Sequence, residues 1–388
     1  MAQRTEGNER TKQVKLIRKT QLNLNNCTEL KKCLITSTLL EYNDVVNKFI
    51  SIYWNLTVTD KKVLLLKEWI YKVDSFLSYR LRKHAAKKAI EVIKSVKNKK
   101  DKNKSKSEKD LTCEMPKFKQ LVMDLDADYL KISPAKTSKT FDLWLHLSSL
   151  GQKLILDIPT KRHKHFNNMM KKGYRIKNSG NLRLDKENRL WLDVILEKEV
   201  EDKIKTGNNI LGIDLGINKL ITTSEGMIYG ENFKKLQDEL HAKKYLSKSW
   251  HRKNKEIKHY IRHEIKQIGI ENYDAVVLED LRKISKNTRG RLNKVTRKYL
   301  SFWNRQTVYL AVKNICEENR VLEEYVNPAY TSQIHNVCHN KGIRNGENFF
   351  CPVCNSHEDA DVNGAKNIRD SFTSKYVGNL PFPAPEKT

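Results

Sequence analysis

Three carboxylates stand where an apolar pattern leaves them exposed to scrutiny. Asp214 lies in Gly212-Ile213-Asp214-Leu215-Gly216-Ile217-Asn218, inside an otherwise apolar strand. Glu279 ends the apolar run Val276-Val277-Leu278, and Asp361 sits in Asp359-Ala360-Asp361-Val362-Asn363-Gly364-Ala365, where a helix is expected to start. Burying a lone charge is costly, so Asp214 requires a cation or a partner. Three acids at the ends of elements of one sheet can hold two Mg²⁺ or Mn²⁺ ions about 3.5 to 4 Å apart, which activates water and stabilises the leaving oxygen in phosphodiester hydrolysis. Each acid alone also has a plainer explanation: Asp361 or Asp359 capping a helix, Glu279 pairing with Arg282. The glycines around Asp214 lack the G-x-G-x-x-G spacing, so a dinucleotide site is not supported.

A second cluster precedes Asp361. His335 and Cys338, then Cys351 and Cys354, are two ligand pairs, each separated by two residues, with twelve residues between the pairs. That is the spacing of two zinc knuckles, and a Cys₃His set closes a tetrahedral structural site. His339 and His357 compete with His335 for the fourth position. The remaining cysteines, at 27, 33, 113 and 316, are scattered, and an odd total of seven does not form a secreted disulfide framework.

The elements that position these residues fall into three regions. Residues 12–24 read as a basic strand. From Thr28 to about Lys97 apolar residues recur at three and four, which predicts three or four helices. Asn98 to Lys109 loses all apolar content and reads as a solvated loop. From Phe118 to Glu199 short alternating runs, such as Phe141 to Leu147, Lys153 to Pro159 and Arg189 to Leu196, predict the strands of a small barrel or sandwich, which the first strand would join. After a charged link from Glu197 to Asn208, the order strand, strand, strand, one long basic helix over about 233–269, strand, helix at about 301–319, strand implies a mixed sheet flanked by helices.

The 388 residues carry 74 Lys+Arg against 46 Asp+Glu, a formal charge of +28. A surplus of that size argues against an ordinary metabolic enzyme and for a polyanionic partner, nucleic acid first. Leu281 to Cys316 has ten Lys/Arg and Pro159 to Leu184 has eight, neither run with a carboxylate, which points to phosphate contact. Tyr79, Arg80, Arg82 and Lys83 on a helix offer an aromatic with flanking cations, suited to a groove or a stacked base, although Tyr79 in a helix core fits nearly as well. In the first run Arg289, Arg291, Lys294 and Arg297 are the candidate contacts. No stretch has about 18 consecutive apolar residues and the N-terminus lacks an apolar segment, so the expectation is a protein with no membrane partner, cytoplasmic and nucleoid-associated in a prokaryote.

The succession Gly-Ile-Asp-Leu-Gly-x-Asn, Val-Val-Leu-Glu-Asp-Leu, Tyr330-Thr331-Ser332-Gln333, the zinc knuckles and Asp-Ala-Asp-Val-Asn-Gly-Ala-Lys-Asn-Ile resembles the split RuvC nuclease of the TnpB family, transposon-encoded RNA-guided nucleases related to compact type V CRISPR effectors. The resemblance covers residues 209–369. It implies a multidomain α+β fold, with an N-terminal wedge β-barrel carrying an inserted helical recognition domain and a C-terminal RNase H-like RuvC domain with a zinc-ribbon insert. On that reading the wedge barrel takes residues 1–27 and 114–205, the recognition domain 28–113, the nuclease 206–370 with the ribbon at about 330–360, and the tail 371–388. It further implies that Asp214, Glu279 and Asp361 are the catalytic acids holding two Mg²⁺ or Mn²⁺ ions, that one structural Zn²⁺ is present, and that the partners are a guide RNA and target DNA cut beside a short flanking motif, with a monomer favoured. The family's usual first zinc ligand is Cys, whereas this chain has His335. The rival readings are a catalytically silent RNA-guided DNA-binding repressor and an RNA-independent RuvC-like nuclease.

Overall fold

The computed structural model describes residues 13–56, 60–104, 114–151, 154–202, 204–205, 207–281 and 304–377. The chain divides into two compact units, the first Val14–Val200 and the second from Glu201 onward.

The first unit opens with β1 (Gln13–Asn23) and four helices, α1 (Glu29–Trp54), α2 (Lys61–Leu64), α3 (Lys67–Ile70) and α4 (Tyr79–Lys104). Thr28 caps α1, and the helix then buries Ile35, Leu39, Tyr42, Val46, Phe49 and Tyr53 along one stripe at the expected spacing. The facing side of α4 is small, with Ala85, Ala86 and Ala89 buried between Leu81 and Ile93, which lets the two helices pack closely. The helix continues through Asn98 to Lys104, where the sequence suggests a loop. Lysine is a good helix former and no Gly or Pro interrupts the stretch, so backbone propensity carries the helix past its last apolar turn.

The strands that follow are β2 (Val122–Leu125), β3 (Leu130–Pro134), β4 (Leu143–Leu147), β5 (Leu156–Thr160), then helix α5 (Lys164–Lys171), β6 (Arg175–Leu184) and β7 (Leu190–Glu201). They form two antiparallel sheets, one in the order β1-β7-β6-β2 and one in the order β3-β4-β5, over a single core shared with α1 and α4. The first strand thus joins strands more than 150 residues later in the chain, and the helical segment is an insertion between them. Strand β7 runs on to Glu201, into what reads in sequence as a charged link.

The second unit is built on β8 (Ile210–Leu215), β9 (Ile221–Thr223), β10 (Ile228–Tyr229), α6 (Phe233–His241), α7 (Lys248–Gln267), a 3₁₀ turn (Ile270–Asn272), β11 (Ala275–Glu279), α8 (Arg305–Asn319), β12 (Leu322–Val326), the small strands β13 (Ile343–Asn345), β14 (Asn348–Cys351) and β15 (Ser356–Asp359), and α9 (Ala360–Val377). The main sheet has the order β10-β9-β8-β11-β12, with β8, β11 and β12 parallel and β9 and β10 antiparallel. Strand β11 is covered on both sides, which is why its sequence is apolar at every position until Glu279. The long basic helix expected over 233–269 is two helices. Leu246 takes a left-handed backbone conformation (φ 63°), and the Ser247 hydroxyl accepts from the Trp250 N–H to start α7 afresh. Neither Gly nor Pro marks the break in sequence.

Candidate active site

Strands β8 and β11 run parallel and in register, with Leu278 opposite Ile213. Asp214 and Glu279 are the next residue on each strand, so the register alone brings two acids to the same end of the sheet. Helix α9 lies against β8. A Cβ on Gly212 would fall 2.1 Å from the Ala365 carbonyl oxygen, and one on Gly364 would fall 3.3 Å from Asp214 Oδ2. Glycine at these two positions lets the helix approach until Asp361, in its first turn, joins the other acids.

The capping alternative is resolved within four residues. Asp359 Oδ1 accepts from the backbone N–H groups of Asp361 (2.9 Å) and Val362 (3.0 Å), so Asp359 is the cap and Asp361 is left for other work. Glu279 accepts from the Thr331 hydroxyl, and its proposed partner Arg282 lies outside the described residues. Burial pushes the Asp214 carboxyl up to about 8, with Glu279 and then Asp361 adding to the rise and Arg344 opposing it. Glu279 is also raised by burial, against the hydrogen bond from Thr331 and the charge of Arg344. The acids crowd one another and lack enough positive charge, and an all-oxygen donor set of this kind fits a hard divalent cation such as Mg²⁺ or Mn²⁺.

Sequence reading missed Arg344, which comes from strand β13 and bonds Asp361 Oδ1 through Nη2 at 2.7 Å. No local pattern marks it, because its partner is 17 residues away across a hairpin. Arg344→Ala is expected to lower any cutting that the three acids support about tenfold or more while leaving any metal on the Cys/His cluster in place, since a charge-assisted bond to Asp361 is lost without touching that cluster. Cleavage rates and elemental analysis on the same preparation check this.

His335, Cys338, Cys351 and Cys354 converge, their ligand atoms all within 4.8 Å of one another. Tetrahedral zinc with thiolate and imidazole ligands sets ligand-to-ligand distances of about 3.5 to 3.8 Å, and the observed His335 Nδ1 to Cys338 Sγ and Cys338 Sγ to Cys351 Sγ separations are 3.4 and 3.5 Å. The two knuckles repeat one geometry: the residue after each second ligand, His339 and Asn355, has positive φ (56° and 49°). His339 thus has a left-handed backbone, and the His357 ring packs at a tilt against Phe350 instead (4.6 Å between centroids, 31°). The Asn340 N–H, helped by the His335 hydrogen bond and opposed by burial, draws the Cys338 thiol down to about 6. Its negative charge and hydrogen bond in turn push Cys354 up. A cation at the centre removes that conflict.

The ribbon is tied to the sheet by two buried asparagines of α9. Asn367 Nδ2 donates to the carbonyls of Thr331 and Ile334 (both 2.8 Å), and Asn363 bonds Ile334 and Asn336.

With both clusters in view, comparison with known proteins is informative. Residues 306–368 match the family model described as the Cas12f1-like TNB domain. By sequence and by fold, this chain resembles the TnpB family and the compact type V effectors. InsQ of Escherichia coli (strain K12), named as an RNA-guided DNA endonuclease, is 28% identical over 214 residues, 46% of this chain and 52% of InsQ. The match thus spans about half the length of that relative. Among solved structures, the Cas12f1–sgRNA–target DNA complex aligns with TM-score 0.56 at 13% identity, over 88% of this chain and 83% of that one. The mini-RNA-guided endonuclease CRISPR-Cas phi3 aligns with TM-score 0.52 at 10% identity, over 95% and 94%. At such identities these two likenesses speak to the fold. The Cas12f1-like TNB match runs from α8 through the ribbon into α9, and so includes all four Cys/His ligands and Asp361.

The candidate nucleic-acid residues are placed unevenly. Tyr79 stacks on the exposed Tyr71 (5.4 Å), and Arg82 lies over the Tyr71 ring, 5.1 Å from its centroid, donating to the Val73 carbonyl. Arg80 is engaged by Asp128, the first rung of a ladder in which His84 meets Asp126 and Lys88 meets Asp124, one helical turn of α4 against each alternate residue of the β2 segment. Lys83 is half-buried. Of the run after Pro159, Lys161, Arg162 and Lys164 are exposed, beside a cavity of about 490 Å³ lined by Lys19, Gln21, His163, His165, Trp191 and Asp193. Arg289, Arg291, Lys294 and Arg297 lie outside the described residues. No helix among the described residues is long and apolar enough to cross a membrane.

Proposed function

We propose that the protein is an RNA-guided DNA endonuclease that hydrolyses target DNA next to a short flanking motif, with Asp214, Glu279 and Asp361 as the catalytic acids. The observation that supports this most is the convergence of those three acids from β8, β11 and α9 at one end of a mixed sheet, with Asp214 and Glu279 buried deeply enough to raise their carboxyl pKa values. The acids would hold two Mg²⁺ or Mn²⁺ ions, which when bound supply activated water and charge stabilisation of the leaving oxygen. The chain's own residues set the geometry. Thr331 fixes the rotamer of Glu279, Arg344 fixes Asp361, and Gly364 keeps space beside Asp214. The resemblance to InsQ and to the Cas12f1 and Cas phi3 folds favours guide RNA and target DNA as partners, and the four-residue cluster favours one structural zinc. In this reading residues 1–27 and 114–205 form a wedge barrel with a recognition insert (28–113), and residues 206–370 form the RuvC nuclease.

A silent repressor has no need of the three acids, and all three are present. The test is to purify the chain from its native locus context, sequence any co-purified RNA, and reprogram that RNA against a plasmid in Mg²⁺. Cutting directed by the altered guide is expected; cutting that is indifferent to RNA would overturn the reading in favour of an RNA-independent nuclease. Because phosphate contacts release counterions, log affinity for guide and target should fall linearly with log salt, by roughly 0.7 to 0.9 per neutralised phosphate. A total slope below about 2 would remove the basic surface from the account.

A further inference from the structure

The His335 imidazole is almost wholly buried (2% exposed) and its two nitrogens face different groups. Nδ1 points at the thiols, 3.4 Å from Cys338 Sγ. On the opposite side Nε2 lies 3.4 Å from Glu358 Oε1 and 3.5 Å from Ser356 Oγ, and the ring is stacked on Phe349 (6.0 Å, 24°). An imidazole that binds a metal through Nδ1 must carry its proton on Nε2, and a buried N–H there needs an acceptor. Cysteine in the same place would need none.

We propose that Glu358 is the positioning carboxylate that orients His335 for zinc, so that the histidine in this ribbon works as a His–Glu pair. The proposal rests on the reading of His335, Cys338, Cys351 and Cys354 as a zinc site. Glu358 is well placed for it. It sits on β15 directly opposite Phe349, is only partly exposed, and has Lys366 of α9 3.6 Å from its other oxygen, which balances its charge. It immediately precedes Asp359, the cap of α9, and stands three residues before Asp361. The competing explanation is that Glu358 is simply the ion-pair partner of Lys366, with no bearing on the metal.

The two explanations separate in zinc affinity, measured on the full chain by competition with a chromophoric chelator. Glu358→Gln and Glu358→Ala are expected to weaken zinc binding about 10- to 100-fold, the usual effect of losing an outer partner of a metal-bound histidine. Lys366→Ala should leave the affinity within twofold. In a His335→Cys background, Glu358→Ala should have no effect, because a thiolate has no second nitrogen to orient. An equal loss in the His and Cys backgrounds, or no loss in the His background, would overturn the proposal while leaving the zinc site standing. Absence of zinc from the wild-type chain by elemental analysis would remove the site reading and the proposal together.

Discussion

Asp214→Ala is expected to abolish cutting of a guide-programmed plasmid in Mg²⁺, while guided DNA binding stays within a few-fold of the parent. The reason is local. Asp214 sits at the sheet end with Glu279 and Asp361 for neighbours and Gly364 packed against its carboxylate, a site that can hold cations and that makes no long reach to a guide. Asp214→Asn should give the same kinetic result with a second signature. The folded-state carboxyl is raised to about 8, against an unfolded value near 3.9, so the folded protein binds the extra proton and its stability falls as pH rises between those values. Without divalent ions the Asn variant escapes that loss, and its Tm should exceed the parent's at pH 8, with the gap closing as the pH is lowered. Measurable cutting by the purified Ala variant, with the parent active alongside, would sink the assignment of Asp214 to the reaction.

His335→Ala is expected to lower zinc content and cutting together, the second large effect. The ribbon has almost no core of its own: Phe349, Cys351 and Ala360 are buried, with Cys338 packed against them. On the zinc reading, metal binding supplies much of its folding energy, since structural zinc sites are worth about 10–16 kcal/mol in small peptides. Without zinc, two supports of the acid cluster loosen at once. Arg344, on the ribbon's first strand, releases Asp361, and the Thr331 segment, tied to α9 through Asn363 and Asn367, releases Glu279. Hydrogen exchange should show residues 330–360 losing protection while the main sheet keeps it. His335→Cys should preserve both zinc and cutting, because imidazole and thiolate both suit tetrahedral zinc. His339→Ala and His357→Ala should keep one zinc per chain; loss of zinc in either would move the fourth ligand there.

Sequence by itself determined what depends on nearest neighbours along the chain. The acid at the end of an apolar strand is visible at Asp214 and Glu279, the x₂ spacing of the knuckles is visible at His335/Cys338 and Cys351/Cys354, and the alternation of β4 and β7 and the stripe of α1 follow from periods of 2 and 3.6 residues. What only the tertiary structure decided are choices between residues of equal local merit. Asp359 rather than Asp361 caps α9, because only its carboxylate reaches the two N–H groups of that turn. His335 rather than His339 or His357 faces the thiols: its ring nitrogen lies within 4.8 Å of all three sulfurs, while the His357 ring packs at a tilt on Phe350. Arg344, Thr331 and Glu358 enter the site through sheet register and hairpin pairing, with partners 17, 52 and 23 residues away. No window along the chain holds both members of such a pair; the β8–β11 register and the close approach of α9 over Gly212 bring them together.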